Sequence, residues 1–370
     1  MRAAEAGPFA EADDVVRSAT GLAFPGAVLS VGAGGRPVHR RAFGRLSYEA
    51  GGAETRSDSL YDLASLTKVV VTTTLAMILV DEGRLDLDAP VSAFFPSFTG
   101  RGRDGATIRH LLSHTSGLPA WAPLFRDASG REAFLARIVG LELEYEPGAK
   151  ASYSDLGFIL LGDVLERVAG APLERLARER VLDPLGMRDT LFRPPAALLS
   201  RIASTENDPW RGRVLRGEVH DENAFALGGV AGHAGLFGSA PDLDRLAQAL
   251  LAGDGGEGRR IASSATVSRF TSRVPVPGST RALGWDTAAD GTGRRSSIPG
   301  SPGYSSAGSL LSERSFGHTG FTGTSVWVDP ERAAWVVLLT NRVHPTRDND
   351  GIRGVRARVA DAVARACARA

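Results

Sequence analysis

Residues 65–80 read SLTKVVVTTTLAMILV, apolar or threonine almost all round. A surface helix shows a single apolar stripe, so this pattern predicts a helix buried on every side. Strand-like runs and helical pieces on either side of it supply what could enclose it. GAVLSVGAG at 26–34 and PVHRRAFG at 37–44 alternate like strands, with the glycines near 32–35 as a hairpin turn. A helix over about 8–20 precedes them, with Phe9, Val15, Val16 and Ala19 as its apolar points. From Leu85 to about Leu227 the chain breaks into helical pieces punctuated by proline and glycine. Strand signals then return, TSVWV and AAWVVLLTNR flanking DPER as a hairpin turn. The last helix carries Val355, Val359 and Val363 at i, i+4 spacing with arginines on its other faces. That stripe reads as packing on a sheet in preference to an RNA- or membrane-binding face.

The expected fold is therefore α+β: an antiparallel sheet flanked by helices, built from both termini, with a mainly helical domain inserted. Residues 1–84 and 235–370 form the sheet domain, 85–234 the helical domain, and the cleft lies between them. The stretch 287–315, rich in Gly, Ser and Pro, is expected as a long surface loop.

Composition removes several functions. A chain of 370 residues holds about two domains. Lys+Arg 43 against Asp+Glu 42 leaves a net charge of +1, without the basic excess that nucleic-acid binding needs. Cys367 is the single cysteine, which excludes a disulfide frame, an iron–sulfur site and a cysteine zinc cluster. The opening MRAAEAGPFAEADDVV lacks the apolar core of a secretory signal, and no apolar run reaches membrane-spanning length. A cytoplasmic protein with no membrane partner is expected. Oligomeric state is not read from the sequence.

Lys68 and Lys150 are the only lysines among the 43 basic residues, so each invites the question of why an amine is kept. In Ser65-Leu66-Thr67-Lys68 the i, i+3 spacing puts hydroxyl and amine on one helical face. Desolvation by Val69, Val70 and Val71 is expected to lower the lysine pKa, letting it take the serine proton. Tyr153-Ser154-Asp155 has two readings, a proton-relaying tyrosine or a helix cap beside a packing aromatic. His318-Thr319-Gly320 lies in a strand whose glycines allow close approach of a substrate backbone, or which forms a bulged edge. Gly228–Gly235 lacks a P-loop ending and reads as a tight turn. His110 and His114, four apart, have no third zinc ligand in view, and His220-Asp221-Glu222 reads as hydrogen bonding at a helix start in preference to support of a cleft rim or a cation. No Gly-x-Ser-x-Gly occurs.

In this order the three motifs resemble the serine β-lactamase and penicillin-binding-protein superfamily. The nearest branch resembles class C β-lactamase, D-alanyl-D-alanine carboxypeptidase and related esterases, which carry Ser-x-x-Lys, Tyr-x-Asn and Lys/His-Thr-Gly. LLSHTSGL at 111–118, PLGM at 184–187, GGVAGHAGLF at 228–237 and GHTGFTGTSVWVDP at 317–330 extend the resemblance. It implies Ser65 as nucleophile, Lys68 and Tyr153 as one coupled acid–base unit, and an oxyanion hole of the Ser65 and Phe321 N–H groups. Asp155, His318, Thr319 and Gly320 would contact substrate, a small-molecule ester, β-lactam or short peptide, with no cofactor or metal. Two departures stand out. Asp155 occupies the asparagine position, and an ionised carboxylate cannot donate to a substrate carbonyl. His318 replaces a lysine, removing a fixed charge. Both lean away from β-lactams and toward esters or small peptides, with a weak penicillin-binding or sensing protein as the alternative.

Overall fold

The computed structural model describes residues 7–252, 260–288 and 294–369. Residues 1–6 of the opening segment and 289–293 of the expected long loop lie outside the described residues. Six strands pair antiparallel in the order Arg36–Gly44, Gly26–Ala33, Ala334–Thr340, Ser325–Asp329, Phe316–Thr319, Asp286–Thr287. Both expected hairpins form. The first turns at Gly34 and Gly35, whose φ of +57° and +73° suit glycine.

The period-2 alternation of the strands divides two cores. Val28, Val326, Val328, Trp335, Val337 and Leu339 face inward, where they join the buried 65–80 segment and the helical pieces in one continuous core. Ala27, Leu29, Val31, Trp327, Val336 and Leu338 face outward, against the N-terminal helix Ala10–Ala19 and the C-terminal helix Ile352–Arg369. The Val355, Val359 and Val363 stripe packs in this outer layer. Each such side chain, fully buried, contributes on the order of 1.5–3 kcal/mol.

The segment after Ser65 is enclosed as expected, with a local difference. Lys68–Thr73 is wound as a π-helix before Thr74–Asp81 continues as an α-helix. Its buried threonines are largely satisfied: Thr72 Oγ1 donates to Gly232 O at 2.6 Å and Thr74 Oγ1 to Val69 O at 2.8 Å. The 287–315 stretch also differs from a plain surface loop. Ala307 and Leu311 are buried in the outer core, and Asp361 of the C-terminal helix accepts from the N–H groups of Ser309 and Leu310 at 2.6 and 3.0 Å.

Candidate active site

Ser65 sits on a turn held from both sides. The short strand Tyr61–Asp62 pairs with Leu236–Gly238, and the Asp62 carboxylate accepts from Ala64 N–H at 2.8 Å and His220 N–H at 2.6 Å. From the turn between Phe316–Thr319 and Ser325–Asp329, Thr322 and Thr324 hydroxyls donate to the Asp62 and Leu63 carbonyls at 2.7 and 3.1 Å. Within this clamp Ala64 adopts φ +46°, an unfavourable conformation for a residue with a Cβ. Such strain persists only where the surroundings over-determine it, and it clusters at functional sites.

One turn on, Lys68 Nζ donates to Ser65 Oγ at 2.9 Å and to His233 O at 3.1 Å, and lies 2.7 Å from Asp155 Oδ1. Two of these oxygens accept from the ammonium, and the Asp155 carboxylate adds an ion pair. The expected depression of the lysine pKa is overturned. Burial does push the ammonium down, but Asp155 and Tyr153 outweigh it, and the value ends above that of an ordinary lysine. A second carboxylate reinforces the field. Although burial opposes it, His233 Nε2, 2.9 Å from Asp221 Oδ1, helps hold the Asp221 carboxyl well below the usual range.

In the Tyr153-Ser154-Asp155 segment the cap reading is realised, with Tyr153 placed beside Ser65 and Lys68. Ser154 Oγ accepts from Gly157 N–H at 3.3 Å, capping the helix Asp155–Ala169. The cap turns Asp155 toward Lys68 and leaves Tyr153 against the ammonium, its ring centroid 4.9 Å from Nζ. Tyr153 Oη is buried beside Ser65 and Lys68; burial raises its pKa and the Lys68 charge only partly offsets this, so the phenol stays protonated. His114 packs on the ring in a tilted contact at 4.5 Å while its Nδ1 accepts from Ser154 N–H at 3.0 Å. His110 Nδ1 is taken up by the Thr107 N–H at 3.1 Å, so the two histidines serve separate partners.

The third motif forms the opposite wall. His318 lies in Phe316–Thr319, which pairs with strands on both sides. Its Nδ1 donates to Thr319 O at 2.8 Å. Burial, with the charges of Arg281 and Lys68, drives its pKa far below the usual histidine value, so the ring is neutral. Gly320 has no room for a side chain: a Cβ there would stand 2.1 Å from Thr324 Oγ1 and 2.6 Å from Leu63 O. Phe321, half exposed, stacks on His220 at 5.6 Å, with the Arg342 guanidinium 4.4 Å from its centroid. Ser65, Tyr153, Asp155, His318, Thr319, Gly320 and Phe321 all line one cleft of about 700 Å³, with Lys68 buried directly behind Ser65.

Sequence reasoning passed over several neighbours. Beyond their place in the family-like phrases, His114 was weighed as a metal ligand and Gly232-His233 as a turn. That turn supplies carbonyls to Thr72 and Lys68, and Gly232 must be glycine because a Cβ would meet Phe158 O at 2.1 Å. Arg281, 5.0 Å from the Tyr153 ring, and Trp121 at the cleft rim carried no motif signal at all.

The Beta-lactamase family profile matches residues 12–361, and the chain belongs to that family. It is a hydrolase of the serine β-lactamase and penicillin-binding-protein group. A putative D-alanyl-D-alanine carboxypeptidase of Salmonella typhi is 33% identical over 316 residues, covering 78% of this chain and 70% of that protein. Among solved structures, EstCE1, a hydrolase with promiscuous acyltransferase activity, aligns with TM-score 0.74 and 26% identity over 96% of this chain and 98% of its own. A class C β-lactamase from Rhodobacter sphaeroides shares the fold, at TM-score 0.72 and 21% identity over 95% and 98% of the two chains. No helix among the described residues is long and apolar enough to cross a membrane.

Proposed function

We propose that this hydrolase works through an acyl-enzyme on Ser65 and prefers esters to β-lactams. The observation that carries the reading is the 2.9 Å contact of Lys68 Nζ with Ser65 Oγ at the floor of the cleft. Ser65 Oγ attacks the ester carbonyl carbon, and the resulting oxyanion is held by the N–H groups of Ser65 and Phe321. The serine proton leaves through the Lys68–Tyr153 unit: Lys68 can take it while passing one of its own to Asp155, and Tyr153 Oη delivers a proton to the departing alkoxide. Water then attacks the acyl-enzyme by the reverse route and releases the acid. Asp155 offers no donor to an acylamide carbonyl, and neutral His318 offers no fixed charge to a carboxylate, which supports a neutral ester.

A second reading has its own support. Arg353 and Arg356 line the same cleft, and Arg356 Nη2 donates to the carbonyls of Gly320 and Thr324 at 2.6 and 2.7 Å rather than to a carboxylate. They offer a substrate carboxylate a partner, as in a D-alanyl peptide, which agrees with the carboxypeptidase name of the Salmonella typhi relative.

The test is intact mass after separate incubation with a fluorophosphonate, a penicillin and a short-chain ester. One fluorophosphonate adduct, lost in Ser65→Ala, is expected, with ester turnover faster than penicillin turnover. Full labelling of the alanine variant would move the nucleophile elsewhere. A penicillin kcat/KM above that of every short ester would restore a β-lactamase reading.

A further inference from the structure

The chain has five tryptophans. Trp285, Trp327 and Trp335 are in the core at 2% exposure or less, whereas Trp121 and Trp210 are 43% and 47% exposed. Large aromatics left open to water on one face mark a binding surface more often than chance exposure does. These two belong to one continuous row. Ring centroids run Trp121 to Phe125 at 6.4 Å, Phe125 to Trp210 at 4.6 Å and Trp210 to Phe225 at 5.8 Å. The row begins inside the catalytic cleft, since Trp121 lines it with Ser65, and Asp155 N–H donates to Ala120 O at 2.9 Å.

The row is built rather than draped. Asn223, fully buried, donates to Ala122 O at 2.9 Å and accepts from Phe125 N–H at 3.0 Å, pinning the Trp121–Phe125 loop to the helix Glu222–Ala226. Arg211, also buried, pairs with Asp208 and donates to the Val219 and His220 carbonyls at 2.7 and 2.6 Å, which fixes the Trp210 turn. Arg211 stands 4.7 Å from the Phe225 centroid and 5.6 Å from Trp210, and Arg126 stands 5.5 Å from Phe125. With guanidinium groups already on these rings, a cationic ligand is disfavoured and a neutral flat group is not.

We propose that the row Trp121–Phe125–Trp210–Phe225 is a subsite that holds a neutral aryl arm of the ester substrate. This rests on the Ser65 ester chemistry proposed above and names its substrate class. Because the rings are held in place before ligand arrives, little ordering cost opposes the stacking.

Three esters read it by pH-stat: ethyl acetate as parent, ethyl 3-phenylpropanoate with an acyl arm, and 2-phenylethyl acetate with an alcohol arm. In Trp121→Ala and Trp210→Ala the kcat/KM ratio of one arylated ester to the parent should fall roughly tenfold, the size of an aromatic contact plus its lost burial. Trp210→Phe should recover most of that ratio. Val38→Ala, exposed on the strand Arg36–Gly44 at the sheet edge away from Phe316–Thr319, should leave it as in the wild type. Ratios within twofold of wild type for both arms in both alanine variants would overturn the subsite. If the wild type cleaves none of the esters, the ester reading falls by itself. The subsite is then read by calorimetric titration of 2-phenylethyl acetate into Ser65→Ala: a tenfold weaker Kd on adding Trp210→Ala supports it, and an unchanged Kd or no binding overturns it.

Discussion

Lys68 Nζ lies 2.7 Å from Asp155 Oδ1, and the pair is set by a helix cap one residue earlier. Ser154 begins the helix, so the first helical residue points its carboxylate back at the ammonium that contacts Ser65. A resting Lys68–Asp155 ion pair follows, with Asp155 as the charge that most strongly opposes the burial of Lys68. The two acceptors and the carboxylate around Nζ orient the amine, but they also hold its proton.

Asp155→Asn removes the negative charge that favours the ammonium. The Lys68 pKa should fall, and the neutral amine should become reachable at lower pH. The alkaline-favoured limb of the acylation profile, followed from pH 5.5 to 9.5, should therefore move to lower pH. Penicillin acylation should rise as the amide gains a donor worth ~1 kcal/mol net. Superimposable profiles would separate Asp155 from the chemistry.

Lys68→Arg should reduce fluorophosphonate labelling and ester turnover on the order of 10³-fold, near the range for loss of a positioned acid–base group. Arginine keeps its charge across the accessible range and is too long for a site where lysine is fully buried. Turnover at wild-type rates would take the amine out of proton transfer.

His318→Lys restores a cation near Arg281 and Lys68, the two charges that already drive the histidine pKa down. The kcat/KM ratio of an N-acyl-D-alanyl-D-alanine to a neutral ester should rise about tenfold, through a charge-assisted hydrogen bond to the terminal carboxylate. The melting temperature should fall by several degrees from like-charge repulsion. An unchanged ratio would place position 318 out of reach of that carboxylate.

Glu206 ties His220 and Arg347 together, with Nε2 of His220 at 2.9 Å, and His220 in turn supports Phe321. Burial raises the Glu206 pKa, but hydrogen bonds from His220 and Arg347 prevail and bring it from 4.5 down to about 2. A depressed carboxylate stabilises the fold above its unfolded pKa and loses that contribution as pH falls through the folded value. Glu206→Gln should therefore cost about 2 kcal/mol at pH 7 in urea unfolding. The difference from wild type should close between about pH 4.5 and about pH 2. A pH-independent difference would assign the loss to packing.

The hairpins, the terminal helices and the enclosed 65–80 segment were legible because each depends on local periodicity, and the Ser65–Lys68 contact because one helical turn brings i and i+3 together. The three motifs were legible as a set, through their order along the chain. The lysine pKa was misread from the same residues: Val69, Val70 and Val71 announce desolvation, but the carboxylate that opposes it most, and with Tyr153 outweighs it, lies 87 positions away, on another helix. His114 behind Tyr153, the carbonyls of Gly232 and His233, and the aromatic row anchored by Asn223 likewise join segments far apart in the chain. By itself the sequence determined which groups could react, since hydroxyl, amine and phenol are properties of residue type. Only the tertiary structure decided their charge states and the shape of what they meet, because electric fields and shared surfaces depend on distances in space that no local pattern encodes.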